Sequence, residues 1–122
     1  MPMIANLLVA LVALLHVGFL VIEMFFWSTP FGQRAFNLTP DFAAQSAVLA
    51  ANQGLYNGFL AAGLVWSLIA ARPLAFPLKV FFLGCVIVAG LFGAATAKMS
   101  ILFIQALPAA VALVAVMMTR ER

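Results

Sequence analysis

Four long apolar segments separated by short connectors limit what this chain can fold into. They cover residues 4–27, 44–71, 77–97 and 100–118, and isolated polar side chains interrupt them. A helix that crosses a bilayer needs about 20 mostly apolar residues, so each segment is long enough to span. The chain is 67% hydrophobic and 7% charged, whereas a soluble domain carries about 25% charged residues. The sequence therefore predicts an all-α integral membrane protein.

The connectors predict how the four helices are joined. Two of them, residues 72–76 and 98–99, are so short that consecutive helices must be antiparallel, which predicts an up-down-up-down four-helix bundle. The first connector is longer and polar. It ends at Thr39 and Pro40, which predict a helix start because Thr is a good N-cap and Pro suits the first helical position. We expect residues 1–122 to form a single integral membrane domain.

The basic residues predict orientation rather than nucleic-acid binding. The formal charge is +3, but Lys and Arg occur singly around apolar runs, so they form no basic patch that would bind nucleic acid. Four of them fall on the side of both termini and two on the other: Arg72, Lys79, Arg120 and Arg122 against Arg34 and Lys98. Because cytoplasmic loops carry an excess of Lys and Arg, this predicts a multi-pass cell-membrane protein with both termini in the cytoplasm.

Polar side chains inside the predicted spans indicate where a functional site lies. The first helix contains His16 and Glu23, two turns apart on one face, and Trp27 at its outer end. The second and fourth helices add Asn52, Gln53, Tyr56, Asn57 and Gln105. At about 1.5 Å per residue, Glu23 and three of the amides lie roughly 6–9 Å below the outer boundary. The inner half of the protein has almost no polar side chain, so the predicted pocket faces outward.

Ionisable groups inside a membrane are costly and are functional candidates by default. A carboxyl and an imidazole can donate and accept protons, so His16 and Glu23 are the candidate catalytic residues. The candidate ligand-binding residues are Trp27, Asn52, Gln53, Tyr56, Asn57 and Gln105. The structural alternative is that such groups only form hydrogen bonds between helices, or that Glu23 pairs with Arg34. That alternative is favoured for Gln105 or Tyr56 taken alone, and function is favoured for the set.

Three further patterns concern packing. Gly54 and Gly58 have a spacing that lets helices approach closely, which favours packing within the chain over a dimer contact. Pro108 predicts a kink in the fourth helix. Cys85 has no sulfur partner and is expected to pack as a small apolar residue. The sequence predicts no metal site and no cofactor.

Three functions remain open. The first is to bind or transport a small molecule or lipid-like ligand in the polar pocket. The second is a membrane-embedded acid–base enzyme, an isomerase or epimerase, that acts on a lipophilic substrate. The third is a structural or accessory subunit of a membrane complex. The expected partners are the lipid bilayer and a small-molecule or lipid ligand, and a homo-oligomer is an alternative because some four-helix membrane proteins of this size work as dimers.

Three stretches carry a resemblance to a known family. They are LHVGFLVIEMFFW at residues 15–27, TPFG at residues 29–32 and AANQGLYNGFLAAG at residues 50–63. The chain resembles a family of small bacterial and fungal integral membrane proteins that is known only as a domain of unknown function, some members of which are automatically labelled epimerases. The resemblance implies a four-helix membrane protein whose motif residues are matched here by His16, Glu23, Trp27, Asn52, Gln53, Gly54, Tyr56, Asn57 and Gly58.

Overall fold

The computed structural model describes residues 2–119, which are built almost wholly of helix. In chain order the elements are α1 (Pro2–Val21), a first π turn (Ile22–Phe26), α2 (Pro30–Phe36), α3 (Pro40–Ile69), α4 (Arg72–Thr96), a second π turn (Leu102–Ala106) and α5 (Leu107–Thr119). Within residues 2–119 there is no strand. The predicted all-α class is therefore confirmed. Of the residues used to predict orientation, Arg120 and Arg122 lie outside the described part.

In the described part of the chain, three helical stretches are long and apolar enough to cross a membrane: Pro2–Phe26, Arg72–Thr96 and Leu102–Thr119. In their most apolar windows only 22% to 33% of the residues are buried within the chain, so most of their surface is available to lipid. This indicates a membrane protein. The 30-residue α3 is longer than any of them, but the polar side chains in its middle lower its mean hydropathy.

The start of α3 agrees with the prediction from the sequence. The helix begins at Pro40, and the N–H of Phe42 donates to Thr39 Oγ1 at 3.2 Å. Such a cap satisfies one of the amides that the first helical turn leaves without a carbonyl partner. The first connector, which the sequence showed to be longer and polar, contains α2, which Thr29 caps by accepting from the N–H of Gly32.

The start of α4 differs from the prediction. A helix was expected from residue 77, whereas α4 begins at Arg72, directly after an extended Ala71. Pro73 lies in its first turn, where a missing N–H costs no helical hydrogen bond. Pro77 follows one turn later and is accommodated near the helix start. Lys79, which was counted among the basic residues that set the orientation, lies inside α4 and is buried there.

The described residues belong to two compact units. The terminal unit consists of Met1–Leu15 and Leu60–Arg122, and the middle unit consists of His16–Phe59. The terminal unit has an apolar core rich in small side chains, which lets its helices pack closely: Ala5, Val9, Val12, Ala13, Leu64, Leu83, Val86, Ala109, Ala112 and Val116. Gly90 of α4 touches the second π turn so closely that a Cβ on it would lie 2.6 Å from the backbone nitrogen of Ala106.

The second π turn directly precedes Pro108. The N–H of Leu107 donates to the carbonyl of Leu102, five residues back, where an α-helix would use the carbonyl four residues back. Pro108 has no N–H and its ring crowds the carbonyl four residues before it. A widened turn at this place gives that carbonyl room. The irregularity expected near Pro108 therefore takes the form of a π turn.

Candidate functional site

In the middle unit, the end of α1 packs against the first half of α3 through two glycines. A Cβ on Gly54 would lie 2.7 Å from Cγ of Met24, and one on Gly58 would lie 2.7 Å from Cδ1 of Leu20. As the residue number rises along α1, the number of its α3 partner falls, so the two segments are antiparallel. Both glycines serve packing within the chain, as their spacing predicted.

Glu23 of the first π turn meets Asn57 of α3 at this contact. Asn57 Nδ2 donates to Glu23 Oε1 at 2.6 Å. Asn57 is buried and Glu23 is half-buried. Arg34 forms no ion pair with Glu23 among residues 2–119. The side-chain amide of Asn57, and not Arg34, is the group that bonds to this carboxyl. The carboxyl group is therefore held in place inside a candidate membrane span by a neutral donor.

Trp27 follows the first π turn and forms a second contact between the same two segments. Its indole Nε1 donates to Ser46 Oγ at 3.0 Å, and Ser46 Oγ in turn donates to the carbonyl of Phe42 at 2.7 Å. The indole ring also packs against Phe36 of α2, with ring centroids 4.9 Å apart. Trp27 thus joins α1, α2 and α3 at one end of the middle unit.

The remaining predicted site residues of the middle unit do not converge on Glu23 in the same way. His16 is fully buried, and its ring meets the edge of Phe19 at 5.1 Å. Asn52 and Gln53 are exposed, and Asn52 Nδ2 donates at 2.9 Å to the carbonyl of Val48 on its own helix. Tyr56 is 53% exposed. Within residues 2–119, it is the side chain of Asn57 that forms a hydrogen bond with Glu23.

Gln105 belongs to the terminal unit, where it is half-buried in the second π turn. Each of the two π turns contains a single polar residue: Glu23 in Ile22–Phe26 and Gln105 in Leu102–Ala106. π turns are rare and occur frequently at functional sites. Their coincidence with two of the residues predicted from the sequence is an independent reason to regard both positions as candidates.

Lys79 is a buried ionisable residue that the sequence pattern did not single out as a site. Lys79 is 3% exposed, and its Nζ donates to Asn6 Oδ1 of α1 at 2.7 Å. Any stretch of about 20 residues within the 25-residue α4 contains residues 77–91, so Lys79 lies within any such stretch. The sequence feature that could have identified Lys79 is its position inside an apolar run. Its closeness to Arg72 and Pro73 led us to count it with the charges at the membrane surface instead.

The described helices and the Glu23–Asn57 contact define a class of small all-helical chains that have apolar spans and a carboxyl group inside one of them. The chain belongs to the family described as "Protein of unknown function (DUF1304)", whose family model matches residues 10–117. This confirms the resemblance to a family of unknown function. Comparisons with curated proteins and with solved structures gave no match.

Proposed function

We propose that residues 1–122 form one multi-pass membrane domain of four antiparallel spans, in which α3 is the second span and the three apolar stretches are the others. The 30 residues of α3 give a length of about 45 Å, more than a hydrocarbon core of about 30 Å requires. Its buried face packs on α1 through Gly54 and Asn57, so its polar side chains need not all face lipid. The two-residue connection between α3 and α4 supports an antiparallel arrangement of these helices.

The function that the site supports best is to bind or transport a small molecule or lipid-like ligand in a polar pocket at Glu23. The observation that carries this proposal is the hydrogen bond between Asn57 and Glu23 inside a candidate span. A carboxyl group at membrane depth is costly and faces a protein interior or a watery cavity. One donor leaves the second carboxyl oxygen able to accept from a ligand. Trp27, which follows Glu23 by four residues, is a further proposed ligand contact.

The pocket is proposed to open on the non-cytoplasmic side, with both termini in the cytoplasm. The basic residues in the connectors and ends support this orientation, because Arg72, Arg120 and Arg122 outnumber Arg34 and Lys98. Lys79 no longer counts, since its ammonium group is buried inside α4. The excess that sets the orientation is therefore three against two.

The two alternatives gain less support. An acid–base enzyme would use His16 together with Glu23, but the His16 side chain is fully buried and a catalytic group must come within hydrogen-bond reach of the proton it moves. An accessory subunit would need its polar groups only to hold helices together, as Trp27 and Ser46 do. A neutral side chain could also hold the helices together, so the half-buried carboxyl of Glu23 is not explained by packing alone.

The proposal is tested by comparing Glu23→Gln with the natural protein in lipid vesicles. Native mass spectrometry of the protein extracted from its host membrane should detect a retained small molecule or lipid, and Glu23→Gln should lose it. In vesicles loaded with a pH-sensitive dye, a proton-coupled carrier should carry a proton flux that Glu23→Gln abolishes. Asp41→Asn is the matched control, because it makes the same carboxyl-to-amide change at an exposed position. Equal retention and equal flux in all three proteins would refute a role of Glu23 in binding and transport.

A further inference from the structure

The outward face of α3 carries amides at a depth where lipid would surround them. We define the α3 patch as Val48, Leu49, Asn52, Gln53 and Tyr56, which lie three or four residues apart and therefore on one side of the helix. All five are exposed. The opposite side of α3 is the one that contacts α1, through residues such as Gly54 and Asn57.

The length of α3 fixes the depth of the patch. The helix has 30 residues and a span needs about 20, so any spanning stretch starts between residues 40 and 50 and includes residues 50–59. Asn52, Gln53 and Tyr56 are therefore inside the hydrocarbon whichever stretch spans. This step rests on the proposed assignment of α3 as a span.

Within the described residues, the two amides of the patch are incompletely satisfied. Asn52 donates to the carbonyl of Val48 on its own helix, which leaves its side-chain oxygen without a donor among residues 2–119. Gln53 forms no side-chain hydrogen bond within the same residues. A polar group in hydrocarbon without a hydrogen bond is strongly destabilising. The patch therefore needs a partner that offers both donors and acceptors.

We infer that the α3 patch binds the same patch of a second copy of this chain. A primary amide carries both a donor and an acceptor, so Asn52 and Gln53 are complementary to themselves across a two-fold axis. A symmetric dimer brings identical patches together, and each amide then satisfies its counterpart. The flanking Val48 and Leu49, exposed to 74% and 75%, supply apolar contact around them. Asn52 and Gln53 then belong to the dimer contact rather than to the ligand pocket.

The test measures association in lipid vesicles by energy transfer between differently labelled copies as the ratio of protein to lipid is varied. The natural protein should dimerise, and the double variant Asn52→Leu with Gln53→Leu should dissociate at least about tenfold more readily, because each lost amide contact is lost twice in a symmetric pair. Gln45→Leu is the matched control for depth. Gln45 is an exposed amide on the same side of α3, but it lies two turns before Asn52 and outside residues 50–59, so water near the end of the span can satisfy it. This variant should dimerise like the natural protein.

A second set of measurements locates the dimer contact and tests separately whether α3 crosses the membrane. In a Cys85→Ala background, Leu49→Cys should form a disulfide between copies and Phe92→Cys, on an exposed part of α4, should not. A monomer in vesicles, unchanged association of the double variant, or a monomer that holds a lipid at this patch would each overturn the dimer.

The assignment of α3 as a span is tested by labelling the single-cysteine variants Gln45→Cys and Ala70→Cys, which should react from opposite sides of the membrane. Labelling from one side would refute α3 as a span, whereas opposite labelling without dimerisation refutes the dimer alone.

Discussion

Asn57 is the residue on which the geometry of Glu23 depends. It donates the 2.6 Å hydrogen bond to the carboxyl group from a buried position on α3. Its neighbours Gly54 and Gly58 bring the two helices close enough for a short side chain to reach.

Replacement of Asn57 by Leu is expected to lower the free energy of unfolding by about 1–2 kcal/mol, because the half-buried carboxyl of Glu23 loses its donor and its desolvation is no longer offset. Reversible unfolding in mixed detergent micelles measures this change. Gln45→Leu serves as the control, since it makes a comparable amide-to-Leu change on the same helix at an exposed position. A loss of stability as large in the control as in Asn57→Leu would contradict the role given to the contact.

The Trp27–Ser46 hydrogen bond is expected to show energetic coupling. Trp27→Phe removes the donor and Ser46→Ala removes the acceptor, and each change alone should destabilise the protein. Because the two side chains bond to each other, the double variant should cost less than the sum of the single changes by about 0.5–1.5 kcal/mol. A double-mutant cycle from the same unfolding measurement gives the coupling. Additive effects would mean that the indole N–H is satisfied elsewhere.

Among the elements, α4 depends on one glycine where it meets the second π turn. A Cβ at Gly90 would lie 2.6 Å from the nitrogen and 2.9 Å from the Cα of Ala106, and these are backbone atoms that cannot turn aside. The same helix has a second glycine, Gly84, at which a Cβ would meet nothing within 4 Å. The two positions therefore separate the effect of packing from the effect of helix propensity.

We expect Gly90→Ala to lower stability by about 1–3 kcal/mol, because the added methyl group forces the second π turn away from α4. Gly84→Ala should leave stability unchanged or raise it by up to about 1 kcal/mol, since Ala is the better helix former and the site is open. Thermal unfolding followed by circular dichroism compares the two variants. Equal midpoints would show that α4 and the second π turn do not pack as closely as described.

Local signals predicted the helices better than they predicted the contacts. Hydropathy and length identified the apolar stretches, and Thr39 with Pro40 identified the start of α3, because capping depends on adjacent residues only. The start of α4 was placed too late, since Pro77 was taken as a boundary although Pro73 already occupies the first turn. The π turns were not predicted, because one extra residue in a turn depends on how the helix packs and not on its own hydropathy.

Of the candidate site, the sequence identified Glu23 and Asn57 as residues of interest but could not pair them. The depth estimate placed Glu23 level with Asn52 and Gln53, whereas the structure pairs Glu23 with the buried Asn57 and leaves the other two amides exposed. The distinction depends on which side of α3 meets α1, and the glycines at 54 and 58 decide that through close approach. The role of Lys79 was missed for a similar reason, since its direction follows from the position of Asn6, 73 residues earlier in the chain.

At the scale of the whole molecule, insertion of α4 into the membrane is expected to depend on α1. A lysine in the middle of a span costs about 2.5–3.5 kcal/mol on insertion scales, and less toward its ends. In an insertion assay with glycosylation reporters, Asn6→Leu should reduce the inserted fraction of α4 when α1 precedes it. Asn6→Leu should have no effect on that fraction once Lys79 is replaced by Leu. An effect that persists in the Lys79→Leu background would show that Asn6 acts by another route.

The bond between Asn6 and Lys79 also gives the chain an order of assembly. Synthesis proceeds from the N-terminus, so Asn6 is made well before Lys79 leaves the ribosome. The first helix then carries the acceptor, and the later helix brings the cation that uses it. A copy that lost its N-terminal helix through internal initiation or proteolysis would hold Lys79 in the membrane without Asn6. Such a fragment should insert α4 less efficiently than the full chain does, because Lys79 would lack the acceptor on α1.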